Sequence, residues 1–318
     1  MRINYARVFL ALGCVLALIG IGVLIGVNIG KKKHDVGEPV TVPVTENSTW
    51  YFPEDDVSAA IDANFWNYAQ MAYMLVGEIP DVSFYKIPAG APRNNYVRDR
   101  FYAEEEGGYI YYHDEAGNRL STVVCDLSSH QEEVDYDQLA ADGVSGVILR
   151  VGFRGYGTGA IVDDDMFETH YEGATKAGLK VGIYFYSQAV SADEAAEEAD
   201  YVLNKLYGRK IELPVVYDTE QVYDEGARTE GMDPSVRTDC AVTFCDRVAQ
   251  SGYTPMIYTN RNFFATDLDM SRLSGYKLWL AHYAERPNFP YMYSGWQYTD
   301  TGVAAGVAGN VDLNVWFE

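Results

Sequence analysis

The sequence predicts an α/β barrel of the TIM type that has lost its last helices, a (β/α)5(β)3 arrangement preceded by a transmembrane helix and a small extension. Three observations predict it. From Thr122 onward, short apolar runs alternate with helical stretches, the pattern of strands buried on both faces and joined by crossover helices. The last three apolar runs follow one another with no long helix between them. At nearly every repeat the run ends in a carboxylate, an aromatic or an amide, as strand ends do at the mouth of such a barrel.

Ahead of the barrel, Val8 to Ile29 is a charge-free run of 22 residues. It is long enough to span a bilayer as a helix, and it lacks the shorter core and small-residue cleavage site of a secretory signal. Gly13-Cys14 invites a lipoprotein reading, but Ala11-Leu12 fits poorly and the apolar run continues past Cys14. Arg2, Arg7 and the amino terminus balance Lys31, Lys32 and Lys33, so charge does not orient the span. Gly22, Gly26 and Gly30 have the spacing that lets two such helices approach, a route to a weak dimer. Residues 1–34 are thus a short tail and membrane anchor, and residues 35–121 a linker and small spacer. Pro39, Pro43 and Pro53 mark the extended linker over 35–55. Ser58 to Val76 is apolar at helical spacing. Tyr109 to Tyr112, a turn at Ala116-Gly117-Asn118, and Leu120 to Val124 read as a hairpin.

The barrel occupies 122–318. Val123 to Cys125 is its first strand, with a short helix ending near Gly143. Gly146 to Val151 is the second, with a helix from about Met166 to Gly178. Leu179 to Tyr186 is the third; its helix opens on the capping box Ser191/Glu194 and closes at Gly208. Leu213 to Tyr217 is the fourth; its helix has Asp233 as N-cap, Pro234 at the first helical position, and an end near Gly252. Thr254 to Tyr258 is the fifth, before a weaker helical stretch. Lys277 to Ala281, Tyr293 to Tyr298 and Val311 to Leu313 complete the eight.

Charge narrows the partners. The chain carries −22, and residues 1–34 hold five basic residues and no acid, which leaves the remainder at −27. Such a surface repels nucleic acid and anionic lipid headgroups and suits a neutral ligand, or serves solubility alone. Cys14, Cys125, Cys240 and Cys245 form no disulfide framework. The predicted strand ends carry Asp126, Arg150, Tyr184, Tyr186, Asp218, Glu220, Tyr258, Trp279, Tyr283, Trp296, Gln297 and Asp312. Alternation along the fourth strand points Asp218 and Glu220 the same way. Neighbouring carboxylates push their pKa values apart, so one can hold a proton near neutral pH while the other stays ionised. That division of labour, ringed by aromatics, is what glycoside hydrolysis needs.

Six blocks extend the pattern: Cys125-Asp126-Leu-Ser-Ser-His-Gln131; Ile148-Leu-Arg150 with Gly155-Tyr-Gly157; Ala177 to Tyr186; Pro214-Val-Val-Tyr-Asp-Thr-Glu220; Trp296-Gln-Tyr-Thr299; and Val311-Asp-Leu-Asn314. In this order they closely resemble glycoside hydrolase family 25, the lysozymes of the bacterial muramidase type, over about 122–318. The resemblance implies an enzyme that cuts the β-1,4 bond between N-acetylmuramic acid and N-acetylglucosamine in peptidoglycan, with no cofactor and no metal. It implies Glu220 as general acid, Asp218 as the group that holds the substrate acetamide or stabilises positive charge, and Asp126 and Asp312 as supporting carboxylates. Arg150, the aromatic strand-end residues and Gln297 would bind substrate. A substrate outside the cell would place the C-terminus outside, with the chain in the cell membrane. Cys125 stands where the family has an apolar residue, and His170 where Asn is common. The alternatives are a wall-binding module without catalysis, and a hydrolase of another N-acetylated glycan such as chitin. Asp163, Asp164 and Asp165 read as a charged loop leading into a helix rather than a calcium site. His130 and His282 stand at the cleft rim or on the surface. Gly155-Tyr-Gly-Thr-Gly159 lacks the Lys-Ser/Thr of a phosphate loop.

Overall fold

A computed structural model of the chain describes residues 72–77, 82–105 and 108–317. The expected anchor over Val8 to Ile29, its Gly22, Gly26 and Gly30, the linker over 35–55 and most of the helix expected from Ser58 lie outside these residues. Among the described residues no helix is long and apolar enough to cross a membrane.

Two short hairpins come first: β1 (Tyr73–Val76) with β2 (Ser83–Lys86), and β3 (Phe101–Ala103) with β4 (Ile110–Tyr112). This corrects the end of the helix expected over Ser58 to Val76, because Tyr73–Val76 is extended. The hairpin expected over 109–124 is present near its turn: Asp114 accepts from the Ala116 and Asn118 amides at 2.8 and 2.9 Å, His113 bridges antiparallel to Arg119, and the Leu120 amide donates to the Tyr112 carbonyl at 2.7 Å. It goes no further, and the strand partner of β4 is β3. Residues from Thr122 onward are taken by the barrel.

The barrel has eight strands: β5 (Thr122–Leu127), β6 (Val144–Arg154), β8 (Lys180–Ser187), β9 (Val215–Thr219), β10 (Pro255–Asn260), β11 (Lys277–Ala281), β12 (Gly295–Gly302) and β13 (Val311–Trp316). It closes because β5 pairs with both β6 and β13, while β7 (Ile161–Asp163) lies antiparallel on the end of β6. The five expected helices follow the first five barrel strands: α1 (Tyr136–Ala141), α2 (Phe167–Lys176), α3 (Ala192–Leu206), α4 (Pro234–Gln250) and α5 (Arg261–Thr266). Their starts are chemically defined. Ser191 Oγ accepts from the Glu194 amide at 3.3 Å, and the Glu194 carboxylate reaches back to the Val190 amide at 2.9 Å. Asp233 caps α4 through the Ser235 amide at 2.7 Å, with Pro234 at its start. The sheet is not all parallel as expected. β13 runs antiparallel to β12 and to β5, because a short loop rather than a crossover helix leads into it.

Strand alternation sorts the side chains into two layers. Val124, Ile148, Val216, Met256, Tyr258, Trp279 and Trp316 fill the barrel interior, with Tyr184 against them. The larger cluster lies outside the ring, under the helices on one side. On the side without long helices, the segment before the barrel supplies the cover. Tyr96 stacks on Phe317 with centroids 4.2 Å apart, and Phe101 meets Trp296 edge-on at 5.3 Å. Asn94 binds the Phe289 and Pro290 carbonyls, each at 2.9 Å. Residues 72–121 therefore belong to the compact unit of the barrel, which corrects the reading of that stretch as a spacer.

Candidate active site

Asp126 is the fixed point of the mouth. It leaves β5 directly opposite Asp312 on β13, and the reversed direction of β13 puts the start of that strand at the same end as the tips of the others. Asn314 Nδ2 donates to Asp126 Oδ2 at 2.8 Å, and Gln297 Nε2 lies 3.2 and 3.1 Å from its two oxygens. Asn314 is oriented in turn by Trp279 Nε1 at 2.7 Å, and Gln297 by the hydroxyls of Tyr258 at 2.7 Å and Tyr283 at 2.9 Å. Burial pushes the Asp126 carboxyl up, opposed by the hydrogen bonds from Asn314, Gln297 and Asp312 that favour its charged form. Asp312 is pushed up to about 9 by burial, then by the charge of Asp126 and its hydrogen bond to it.

Asp218, near the end of β9, stands between Tyr186 on β8 and Tyr258 on β10. It is buried, and its Oδ1 has no hydrogen-bond partner in the protein. Glu220 lies just past the strand and is only partly buried. Burial, the charge of Glu220 and the hydrogen bond to Glu220 raise Asp218 well above the usual carboxyl range. Glu220 is raised by burial, with the Asp218 hydrogen bond opposing. In each pair one carboxyl holds a proton and donates it to its neighbour, as two close carboxyls in a dry site must. The cation that faces Asp218 is Arg150, itself held by Asp164 Oδ2 at 2.7 Å and Ser129 Oγ at 2.8 Å.

Residues 125–307 match the family model for glycosyl hydrolases family 25. The chain belongs to this family. Among its relatives, the autolytic lysozyme of Clostridium acetobutylicum is 29% identical over 194 residues, 61% of this chain and 55% of that protein. The chain thus spans about half the length of that relative. Among solved structures, the Clostridium perfringens spore cortex lytic enzyme SleM aligns with a TM-score of 0.55 at 26% identity, over 63% of this chain and 68% of SleM. The modular autolysin LytC of Streptococcus pneumoniae aligns with a TM-score of 0.56 at 20% identity, over 76% of this chain and 58% of LytC, a likeness of fold.

Within the family's fold, the structure brings the four expected carboxylates together and divides the expected binding residues by exposure and by their protein partners. Tyr184 and Tyr186 line the mouth beside Asp218, and Tyr283 stands at the rim with 54% of its surface exposed. Arg150, Tyr258 and Gln297 are spent on protein partners and position the carboxylates. Trp279, 1% exposed, lies inside the barrel with no free face for a sugar. Trp296, 0% exposed, points out of the barrel, because Gln297 beside it points in. Two positioning groups were not expected from sequence. Asn314 shares the strand face of Asp312, so strand parity was the available signal. Asp164 was seen only as part of an acidic run; it is buried, accepts from the Ser129 and Met166 amides, and gives no hint of its Arg150 partner until the loops are placed.

Proposed function

We propose that the chain is a lysozyme that hydrolyses the β-1,4 bond between N-acetylmuramic acid and N-acetylglucosamine in peptidoglycan. The observation that carries this reading is the Asp218–Glu220 pair at the mouth, sharing a proton opposite Asp126 and Asp312, in a chain of this family. The proton moves across the pair onto Glu220, which delivers it to the glycosidic oxygen as the bond from that oxygen to the sugar C1 breaks. The bonding electrons leave with the oxygen. Asp218, now ionised, faces the positive charge that develops on the sugar. Burial and the nearby Glu220 charge favour the neutral form of Asp218, which suits this stabilising role better than attack on C1 and favours participation by the substrate acetamide. Water then adds at C1 and returns its proton to Glu220. Lysozyme relatives support the substrate.

The charge-free run Val8 to Ile29 supports a single-pass anchor in the cell membrane with the barrel outside, where the wall is. The spacing of Gly22, Gly26 and Gly30 supports weak pairing of two anchors.

Digestion of purified peptidoglycan by the full chain should release muropeptides with new muramic acid reducing ends. Glu220→Gln should lower the rate by roughly 10²–10⁴-fold, the contribution of a general acid, with unchanged thermal unfolding. Full activity in that variant sinks the assignment.

A further inference from the structure

The segment before the barrel reaches the mouth as well as the core. Tyr283, on the rim, continues directly into Glu285 and Arg286. Facing them is the short 3-10 helix Arg98–Arg100, and the two walls enclose an open cleft of about 480 Å³ lined in part by Arg98, Asp99, Glu285 and Arg286. An ion pair between Arg286 and Asp99 ties the walls together. Arg98 is exposed and makes no ion pair among the described residues. Arg286 Nε is buried without an acceptor, with Glu285 Oε1 4.0 Å away.

The local charge departs from that of the whole molecule. In a chain of net charge −22, this stretch of rim sets Arg98, Arg261 and Arg286 against Asp99 and Glu285, and Arg98 is the exposed guanidinium of the three, held by no carboxylate among the described residues. Burial first, and then the positive charges of Arg261 and Arg98, push His282 down to about 4. The imidazole beside the cleft is therefore neutral at physiological pH, and the guanidinium groups carry the charge. The glycan backbone of peptidoglycan offers such groups little, since its hydroxyls and acetamides are neutral. The peptides attached to its muramic acid residues carry carboxylates, for which guanidinium is the matching donor. Arg98 and its helix lie outside the residues that match the family, so the cleft is built partly from this chain's own extension.

We propose that this cleft binds a carboxylate of the stem peptide on a muramic acid residue next to the cleaved bond, with the exposed Arg98 as the donor and Arg286, held by Asp99, fixing the opposite wall. The proposal rests on the reading of the substrate as peptidoglycan. The test compares the full chain and its Arg98→Ala variant on two substrates: peptide-bearing peptidoglycan, and glycan strands stripped of peptide by an amidase. Arg98→Ala should lower kcat/KM by roughly five-fold on the first and leave the second unchanged, the loss expected of one exposed charge contact. Arg98→Glu should deepen the selective loss, and added salt should narrow it. Equal loss on both substrates, or loss on neither, overturns the cleft while leaving the muramidase reading intact. Failure of the unaltered chain to cut either substrate overturns both.

Discussion

On the β6–β9 side of the barrel, Arg150 and Asp218 stand on strands backed by α2, α3 and α4, with Glu220 just past the end of β9. On the β11–β13 side, Gln297, Asp312 and Asn314 stand on strands that no long helix backs. The cover there is Tyr96, Phe101, Tyr111 and Tyr112, all from residues ahead of the first barrel strand. Both halves present their polar groups by the same strand parity, and each holds one proton between two carboxyls. They differ in what presses the strands into place. One half is closed by crossovers local in sequence; the other is closed by a segment that must fold back across the whole barrel, as Asn94 does onto Phe289 and Pro290. A barrel that looks self-contained from its repeats is therefore incomplete without the residues before it.

The strongest way to break this comparison is to cut at residue 121. A fragment of residues 122–318 would expose the faces of Tyr293, Trp296 and Phe317 that now pack on the extension, a contiguous apolar patch of the kind that drives aggregation. By circular dichroism it should lack the cooperative thermal transition expected of the full chain. A fragment that melts cooperatively at the temperature of the full chain would show that the extension is dispensable.

A single residue gives a smaller version of the same effect. Trp296→Ala should destabilise by about 3–5 kcal/mol, a fall in Tm on the order of 10 °C, while KM for peptidoglycan measured well below the transition stays unchanged. A raised KM with an unchanged Tm would restore the sugar-binding role expected of Trp296 from sequence. That expectation shows where the sequence was legible and where it was not. The strands, the five helices and their caps follow from apolar period and from Ser191, Asp233 and Pro234, which act within one turn of the chain. The carboxylates follow from their places at strand ends. What escaped was one-residue parity and contact at long range. Trp296 and Gln297 are neighbours near the start of β12, yet only one can face in. The antiparallel course of β13 depends on a loop with no apolar period. The cover by Tyr96 and Phe101 joins residues some 200 positions from their partners, as the 197 between Tyr96 and Tyr293 illustrates, and no local pattern records it.

The finest test lies within the half that the extension covers. Asp312 is held up to about 9 in the folded chain, against a value near ~4 for an unfolded carboxyl. Between those limits the native state keeps a proton that the unfolded chain releases, so this group makes stability fall as pH rises from about 4 towards 9. Asp312→Asn keeps a donor opposite Asp126 and removes the titration. It should raise stability by several kcal/mol at pH 8, at roughly 1.4 kcal/mol for each pH unit above the unfolded value, leave it nearly unchanged at pH 4, and flatten the slope between. Urea midpoints at pH 4, 6 and 8 measure this directly. A gain that is absent at pH 8, or larger at pH 4, would mean that Asp312 does not hold the proton and that Asp126 is fixed by Asn314 and Gln297 alone. If the expected pattern appears, the proton on Asp312 is what lets Asp126 remain charged in a dry mouth, and this half of the site owes its charge distribution to a carboxyl kept neutral rather than to a cation such as Arg150 across the barrel.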